Sequence, residues 1–113
     1  LKKLFLDDIR EVKWIYADEK ALDFEVVRSF DEFLEYIQVH GLPDFISFDN
    51  DLGLDENGKV APDGYAAAKW LVYESGLDLR KLKFKVHSAN PVAAEQIRGL
   101  LNNYIHFLKK GKI

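Results

Sequence analysis

Two acidic clusters in this chain each follow a short apolar run: Leu4-Phe5-Leu6 leads into Asp7-Asp8, and Phe45-Ile46-Ser47-Phe48 leads into Asp49-Asn50-Asp51. Their carboxylates are hard oxygen donors of the kind Mg²⁺ takes one or two at a time, keeping its other positions for water and phosphate oxygens. A third run, Phe84-Lys85-Val86, ends in His87-Ser88-Ala89-Asn90-Pro91. His87 is the residue type that exchanges a proton near neutral pH. Ser88, Asn90 and the first amides of a following helix can receive an oxyanion. Arg10, just beyond the first acid pair, can either bridge those carboxylates or grip a phosphate with two parallel hydrogen bonds. The chemistry implied is phosphate handling around Mg²⁺ or another divalent cation, with Asp7, Asp8 and Asp49 as ligands. Each residue also has an ordinary reading, as a solvated loop acid or a strand histidine bonded to a backbone carbonyl. Repetition at three strand ends is what favours a site.

Those groups meet only if the elements carrying them end at one edge. Lys3 to Asp7, Phe24 to Arg28, Asp44 to Asp49 and Lys83 to His87 read as short strands, the third apolar enough for burial on both faces of a parallel sheet. Ser29 with Glu32 has capping-box spacing, and Phe33, Leu34 and Ile37 then share a helical face until Gly41 and Pro43. Asp63 caps a second helix with Ala67, Ala68, Leu71 and Val72 as its inner stripe, and Gly76 suits its end. Asn90-Pro91 starts a third, in which Ile97, Leu100, Leu101, Tyr104, Ile105 and Leu108 recur at helical spacing. The segment between the first two strands has no clear helical stripe, and Leu52 to Pro62 reads as a loop. Strands alternating with helices imply parallel pairing by right-handed crossovers, which sets all strand C-termini along one edge, where ligands bind.

The 113 residues, 48% apolar, suit one domain with a single core. With no cysteine, thiolate metal sites and disulfides are excluded. No apolar stretch is long enough for a membrane span, and a cytoplasmic location is the default expectation. A net charge of −3 argues against general DNA binding. The charge is uneven: 8 basic and 17 acidic side chains through Leu77 are followed by 8 basic and 2 acidic from Asp78 onward. The acidic part suits a cation and the basic part a phosphorylated ligand. Trp14, Tyr16, Tyr65 and Trp70 read as packing groups, with base stacking as the alternative use.

The order Leu6-Asp7-Asp8-x-Arg10, Phe48-Asp49-Asn50-Asp51-Leu52-Gly53, Asp63-Gly64 and His87-Ser88-x-Asn90-Pro91 resembles the cyclic-phosphate-processing receiver family, a variant of the response-regulator receiver domain, from Lys3 to about Tyr104. The resemblance implies a single receiver-like (flavodoxin-like) domain over residues 1–113: a three-layer, doubly wound parallel α/β sheet of order 2-1-3-4, with a fifth strand short or absent. It implies Asp7 and Asp8 as the acidic pair, Asp49 at the phosphoacceptor position, Asp51 as a metal ligand through its carbonyl, and Ser88 as the hydroxyl after the fourth strand. Asn50 stands where the variant family commonly has His. No lysine on a fifth strand is evident, and Lys109, Lys110 or Lys112 are the substitutes.

The expected activity is Mg²⁺-dependent phosphoesterase chemistry on a cyclic phosphate carried by a nucleotide or an RNA end. Asp49 and His87 would be catalytic, and Arg10, Asn50, Ser88 and Asn90 would orient phosphate. Two rivals are a signalling receiver phosphorylated on Asp49, and a degenerate receiver that binds a protein or nucleotide without turnover. A haloacid-dehalogenase reading of Asp49-x-Asp51 ranks last, because too little chain follows Leu52 to complete that core.

Overall fold

Four parallel strands of a computed structural model that describes residues 2–17 and 23–110 form one sheet in the order β2-β1-β3-β4. The strands are β1 (Lys3–Leu6), β2 (Phe24–Val27), β3 (Phe45–Phe48) and β4 (Lys83–Val86). Helix α1 (Phe30–His40) follows β2, α2 (Gly64–Tyr73) follows β3, and α3 (Pro91–Lys110) follows β4. Between β1 and β2 the described residues hold a single 3-10 turn, Val12–Trp14, in line with the missing helical stripe there.

Local chemistry sets the helix starts. Ser29 Oγ accepts the Glu32 N–H at 3.1 Å, while Glu32 Oε1 reaches back to the Arg28 N–H at 2.7 Å, one residue earlier than an ideal capping box. Asp63 Oδ1 accepts the Ala66 N–H at 2.9 Å, and Asn90 Oδ1 accepts those of Val92 and Ala93 at 3.1 and 3.2 Å. Gly41 ends α1 at φ +82°, a conformation that other residues adopt only at a cost.

Because side chains alternate along a strand, the register divides the sheet cleanly. Leu4, Leu6, Val27, Ile46 and Phe48 face one way and pack with Phe33 and Ile37 of α1, Ala67, Ala68 and Leu71 of α2, and Ile97 and Leu101 of α3. All three helices therefore cover one face, where the core sits. The opposite face carries Lys3, Phe5, Phe24, Phe45, Ser47, Lys83 and Lys85. Among the described residues its third layer is the segment around Val12–Trp14, from which Tyr16 reaches down to Ser47.

The long loop after β3 is more ordered than a plain loop. Leu54 and Val60 form an antiparallel bridge, and Asp55 Oδ1 accepts the N–H groups of Asn57 and Lys59 at 2.8 and 3.0 Å, making a small hairpin.

Candidate functional site

Parallel pairing brings the C-terminal ends of β1, β3 and β4 side by side, so Asp7, Asp49 and His87 each leave the sheet one residue past a strand. Alternation points all three to the face away from the helices. Each offers a ligand atom within 4.8 Å of the others, an arrangement that could hold a metal ion. A cleft of about 360 Å³ opens above them, lined by Asp8, Ile9, Arg10, Asp49, Asp51, Ser88, Ala89 and Asn90.

Asp7 forms the floor and is fully buried. Its Oδ1 accepts the N–H groups of Ile9 and Arg10 at 3.0 and 2.9 Å; its Oδ2 accepts Arg10 Nη1 and His87 Nε2, both at 3.0 Å. Burial alone would push this carboxyl up, but those four donors together outweigh it and hold it below the ordinary aspartate value. Asp7 therefore stays charged, with its oxygens already occupied. Arg10 reaches from it to Asp49 Oδ2 at 3.4 Å and ties the two carboxylates together.

Asp49 is placed differently. Only 5% exposed, its Oδ1 accepts the Asn50 N–H at 2.8 Å. Burial and the negative charge of Asp7 raise it to about 6, against the smaller opposing effects of the Asn50 N–H and Arg10. Asp8 is also raised, by burial and by the charges of Asp7 and Asp51. Gly53 leaves room for Asp8: a Cβ at that glycine would approach Asp8 Oδ2 to 2.9 Å. The cleft thus gathers more negative charge than its one guanidinium can neutralise. That excess suits a divalent cation at this edge, where the ligand atoms that converge among the described residues are those of Asp7, Asp49 and His87.

His87 lies beneath the cleft, its side chain 5% exposed and its ring stacked on Phe5 at 4.6 Å between centroids. A carboxylate can only accept, so Nε2 carries the proton shared with Asp7, and Nδ1 accepts from Ser47 Oγ at 2.7 Å. Ser47 in turn accepts from the Tyr16 hydroxyl at 2.8 Å. Burial lowers the His87 pKa below its ordinary value despite the nearby Asp7, which keeps the imidazole neutral. Ser47→Ala strands both the Tyr16 hydroxyl and His87 Nδ1, and is expected to cost about 1–3 kcal/mol. A lowered urea midpoint with an unchanged slope would register that loss.

Three of the sequence's phosphate candidates make structural hydrogen bonds. Asn50 turns its Oδ1 to the Tyr65 N–H at 3.0 Å, anchoring the first turn of α2. Asn90 borders the cleft but already caps the N–H groups of Val92 and Ala93, and Ser88 Oγ accepts the Asn90 N–H at 3.1 Å. Among the described residues no lysine lines the cleft, where Arg10 is the cation; Lys109 borders a cavity beside β4, and Lys112 lies outside the described residues.

Sequence reasoning missed Ser47 and Arg28, and read Tyr16 as a packing or base-stacking ring without its hydroxyl's bond to Ser47. Ser47 had one signal, a hydroxyl inside a buried apolar run and in step with Asp49. Arg28 Nη1 donates to the Asp7 and Arg10 carbonyls at 3.1 and 2.6 Å and so pins the loop carrying Asp8; nothing in its spacing announces that.

No helix among the described residues is long and apolar enough to cross a membrane. A search of curated proteins returned no significant match. Among solved structures, one described as a yeast Spc42 trimeric coiled-coil segment fused to another structure matches with a TM-score of 0.59 and 22% identity. The match covers 88% of this chain and 61% of that one, and at this identity it speaks to fold alone. The family model for the cyclic-phosphate processing receiver domain matches residues 2–103, the stretch that carries all four strands and every residue of the acidic cleft, and the chain belongs to that family.

Proposed function

We propose that the acidic cleft is a metal-dependent phosphoesterase site that opens a cyclic phosphate on a nucleotide or an RNA end. The observation that carries this reading is the charge imbalance: Asp8, Asp49 and Asp51 line one cleft with the single guanidinium of Arg10, and burial together with the charge of Asp7 raises the Asp49 carboxyl to about 6. A divalent cation such as Mg²⁺, held by Asp8 and Asp49, would supply charge neutralisation for the phosphoryl oxygens. Arg10 and Ser88 face the same space and would orient the phosphate. In hydrolysis a water oxygen bonds to phosphorus, one ring P–O bond breaks, and the released ribose oxygen takes a proton. Because both nitrogens of His87 are engaged, its role in this scheme is positioning: it fixes Asp7, and Asp7 fixes Arg10.

Incubation with 2′,3′-cyclic nucleotides and Mg²⁺, followed by product analysis, tests the reading. Conversion to the monoester that stops on chelation supports it. Absence of product across all four bases overturns it, and a stable gain of one phosphate on Asp49 from a small phosphodonor would favour a signalling receiver instead.

A further inference from the structure

The sheet face opposite the helices holds a second, unrelated depression. Register sets Phe24, Lys3, Phe45 and Lys83 in one row across the four strands, aromatic rings alternating with ammonium groups. Tyr16 joins them, stacked on Phe24 at 5.0 Å and edge-on to Phe45 at 6.4 Å. The depression measures about 590 Å³; Lys81, Lys85 and Asp44 complete its lining, and it shares no residue with the acidic cleft.

Charge and chemistry together choose an occupant. Among the described residues that line it, four lysines stand against one acid, Asp44, whose Oδ2 already accepts the Lys2 N–H at 2.8 Å. Lys3 is partly committed, 3.8 Å from Asp23 Oδ2 and 5.6 Å from the Phe24 ring. Lys81, Lys83 and Lys85 are exposed and form no ion pair among the described residues. Lys83 and Lys85 sit two residues apart on the edge strand β4, a backbone rise of about 7 Å, and Lys81 lies in the turn just before it. That interval is too wide for one phosphate and comparable to the step between successive phosphates of an extended strand. Arg98 and Lys109 of α3 continue the positive stripe around the outer side of β4. Lysines on an edge strand also discourage unwanted strand pairing, but that role requires neither the aromatic floor nor Lys3 on an inner strand.

We propose that this face binds single-stranded nucleic acid, with bases stacked on the Phe45 and Tyr16 rings, Phe24 backing Tyr16, and phosphates along Lys81, Lys83 and Lys85. Half-exposed rings beside ammonium groups accept any base through its π-face, so binding is tolerant of sequence. An uncharged apolar ligand would leave the lysines idle, and an acidic peptide would leave the rings idle.

Fluorescence anisotropy with labelled RNA and DNA oligonucleotides of about eight nucleotides, ending in 3′-hydroxyls and used without divalent cations, tests this surface apart from the acidic cleft. With about three phosphates neutralised, affinity should fall roughly 20-fold between about 50 and about 200 mM salt. Lys83→Glu with Lys85→Glu should weaken binding at least about 10-fold and flatten the salt dependence. Phe45→Leu, which keeps the apolar volume but removes the ring face, should weaken it roughly 5-fold. Lys59→Glu, on the remote hairpin, should leave it no weaker. The proposal is overturned by any of three results: no saturable binding at the lower salt, equal loss in Lys59→Glu, or displacement by poly-glutamate as effective as by unlabelled oligonucleotide.

Discussion

Asp49→Asn is expected to abolish cyclic-phosphate turnover and, in the absence of divalent cations at pH 7, to make the protein more stable. The activity loss should be at least about 100-fold, because an amide is a poor ligand and leaves the phosphoryl charge unneutralised. The stability gain follows from the raised carboxyl of Asp49. In the folded chain it titrates at about 6, against the ordinary 3.8 of an unfolded one. Between those values the folded state retains a proton that the unfolded state has released, so stability falls as pH rises through this window. At pH 7 the accumulated penalty is at most about 3 kcal/mol. Asparagine avoids it but gives up the Arg10 ion pair, leaving a net gain of about 1–2 kcal/mol, or roughly 5–10 °C in melting temperature.

Asp8 is also raised and adds to this fall. His87, lowered, acts in the opposite direction: its stability contribution is complete above 6.5 and is lost as pH falls. Asp7, also lowered, contributes stability that disappears only in stronger acid. The difference between variant and parent isolates Asp49 from all three. That difference should be largest at pH 7, vanish by about pH 4, and shrink when Mg²⁺ stabilises the parent by binding to it. Melting curves across this range, with and without Mg²⁺, check the sign. A variant less stable than its parent at pH 7 would mean that burial and the charge of Asp7 do not hold the Asp49 carboxyl above its ordinary value.

Gly64→Ala should be among the most damaging single-methyl additions in the chain. Gly64 is buried at the first position of α2, and a Cβ there would overlap the Asp49 carbonyl oxygen and crowd the Asn50 Cα at 3.0 Å. Both neighbours are backbone and cannot swing aside. The Gly64 N–H also donates to the Asn50 carbonyl at 2.8 Å, so α2 is docked directly on the turn that presents Asp49. A loss of about 3 kcal/mol or more is expected, with the remaining folded protein inactive because Asp49 has shifted. Gly99→Ala is the matched control. It lies within α3 with nothing within 4 Å of an added Cβ, and should gain up to about 1 kcal/mol from helix propensity. Urea titrations of both variants decide the matter; losses of similar size in the two would remove the steric account of Gly64.

The parts of this architecture that rest on local chemistry were legible in the chain. Caps at Ser29, Asp63 and Asn90, strand alternation, and the acids one residue beyond β1 and β3 depend on neighbours a few positions away. Parallel topology then makes the acidic edge a consequence, since strands entered by crossovers must all end on one side. What stayed hidden depends on contacts distant in sequence. Tyr16, Ser47 and His87 are separated by 31 and 40 positions, and no periodicity marks a buried hydrogen-bond chain. For the same reason His87 read as a free acid or base, whereas its ring is held on both sides. Asn50 read as a phosphate contact; its partner, the Tyr65 N–H, becomes visible only once α2 is docked. The hairpin at Leu54 and Val60 was also concealed, because Asp55 builds it through side-chain acceptors in a stretch without strand character.

The most direct test of a cation held at the ends of β1 and β3 is paramagnetic line broadening by Mn²⁺ in the amide NMR spectrum of the labelled protein. Broadening should begin at Asp8, Asp49, Asp51 and Ser88 at low Mn²⁺, be displaced by excess Mg²⁺, and disappear in Asp49→Asn. Broadening centred instead on the exposed hairpin acids Asp55 and Glu56, or unchanged by Asp49→Asn, would contradict a metal site in the cleft.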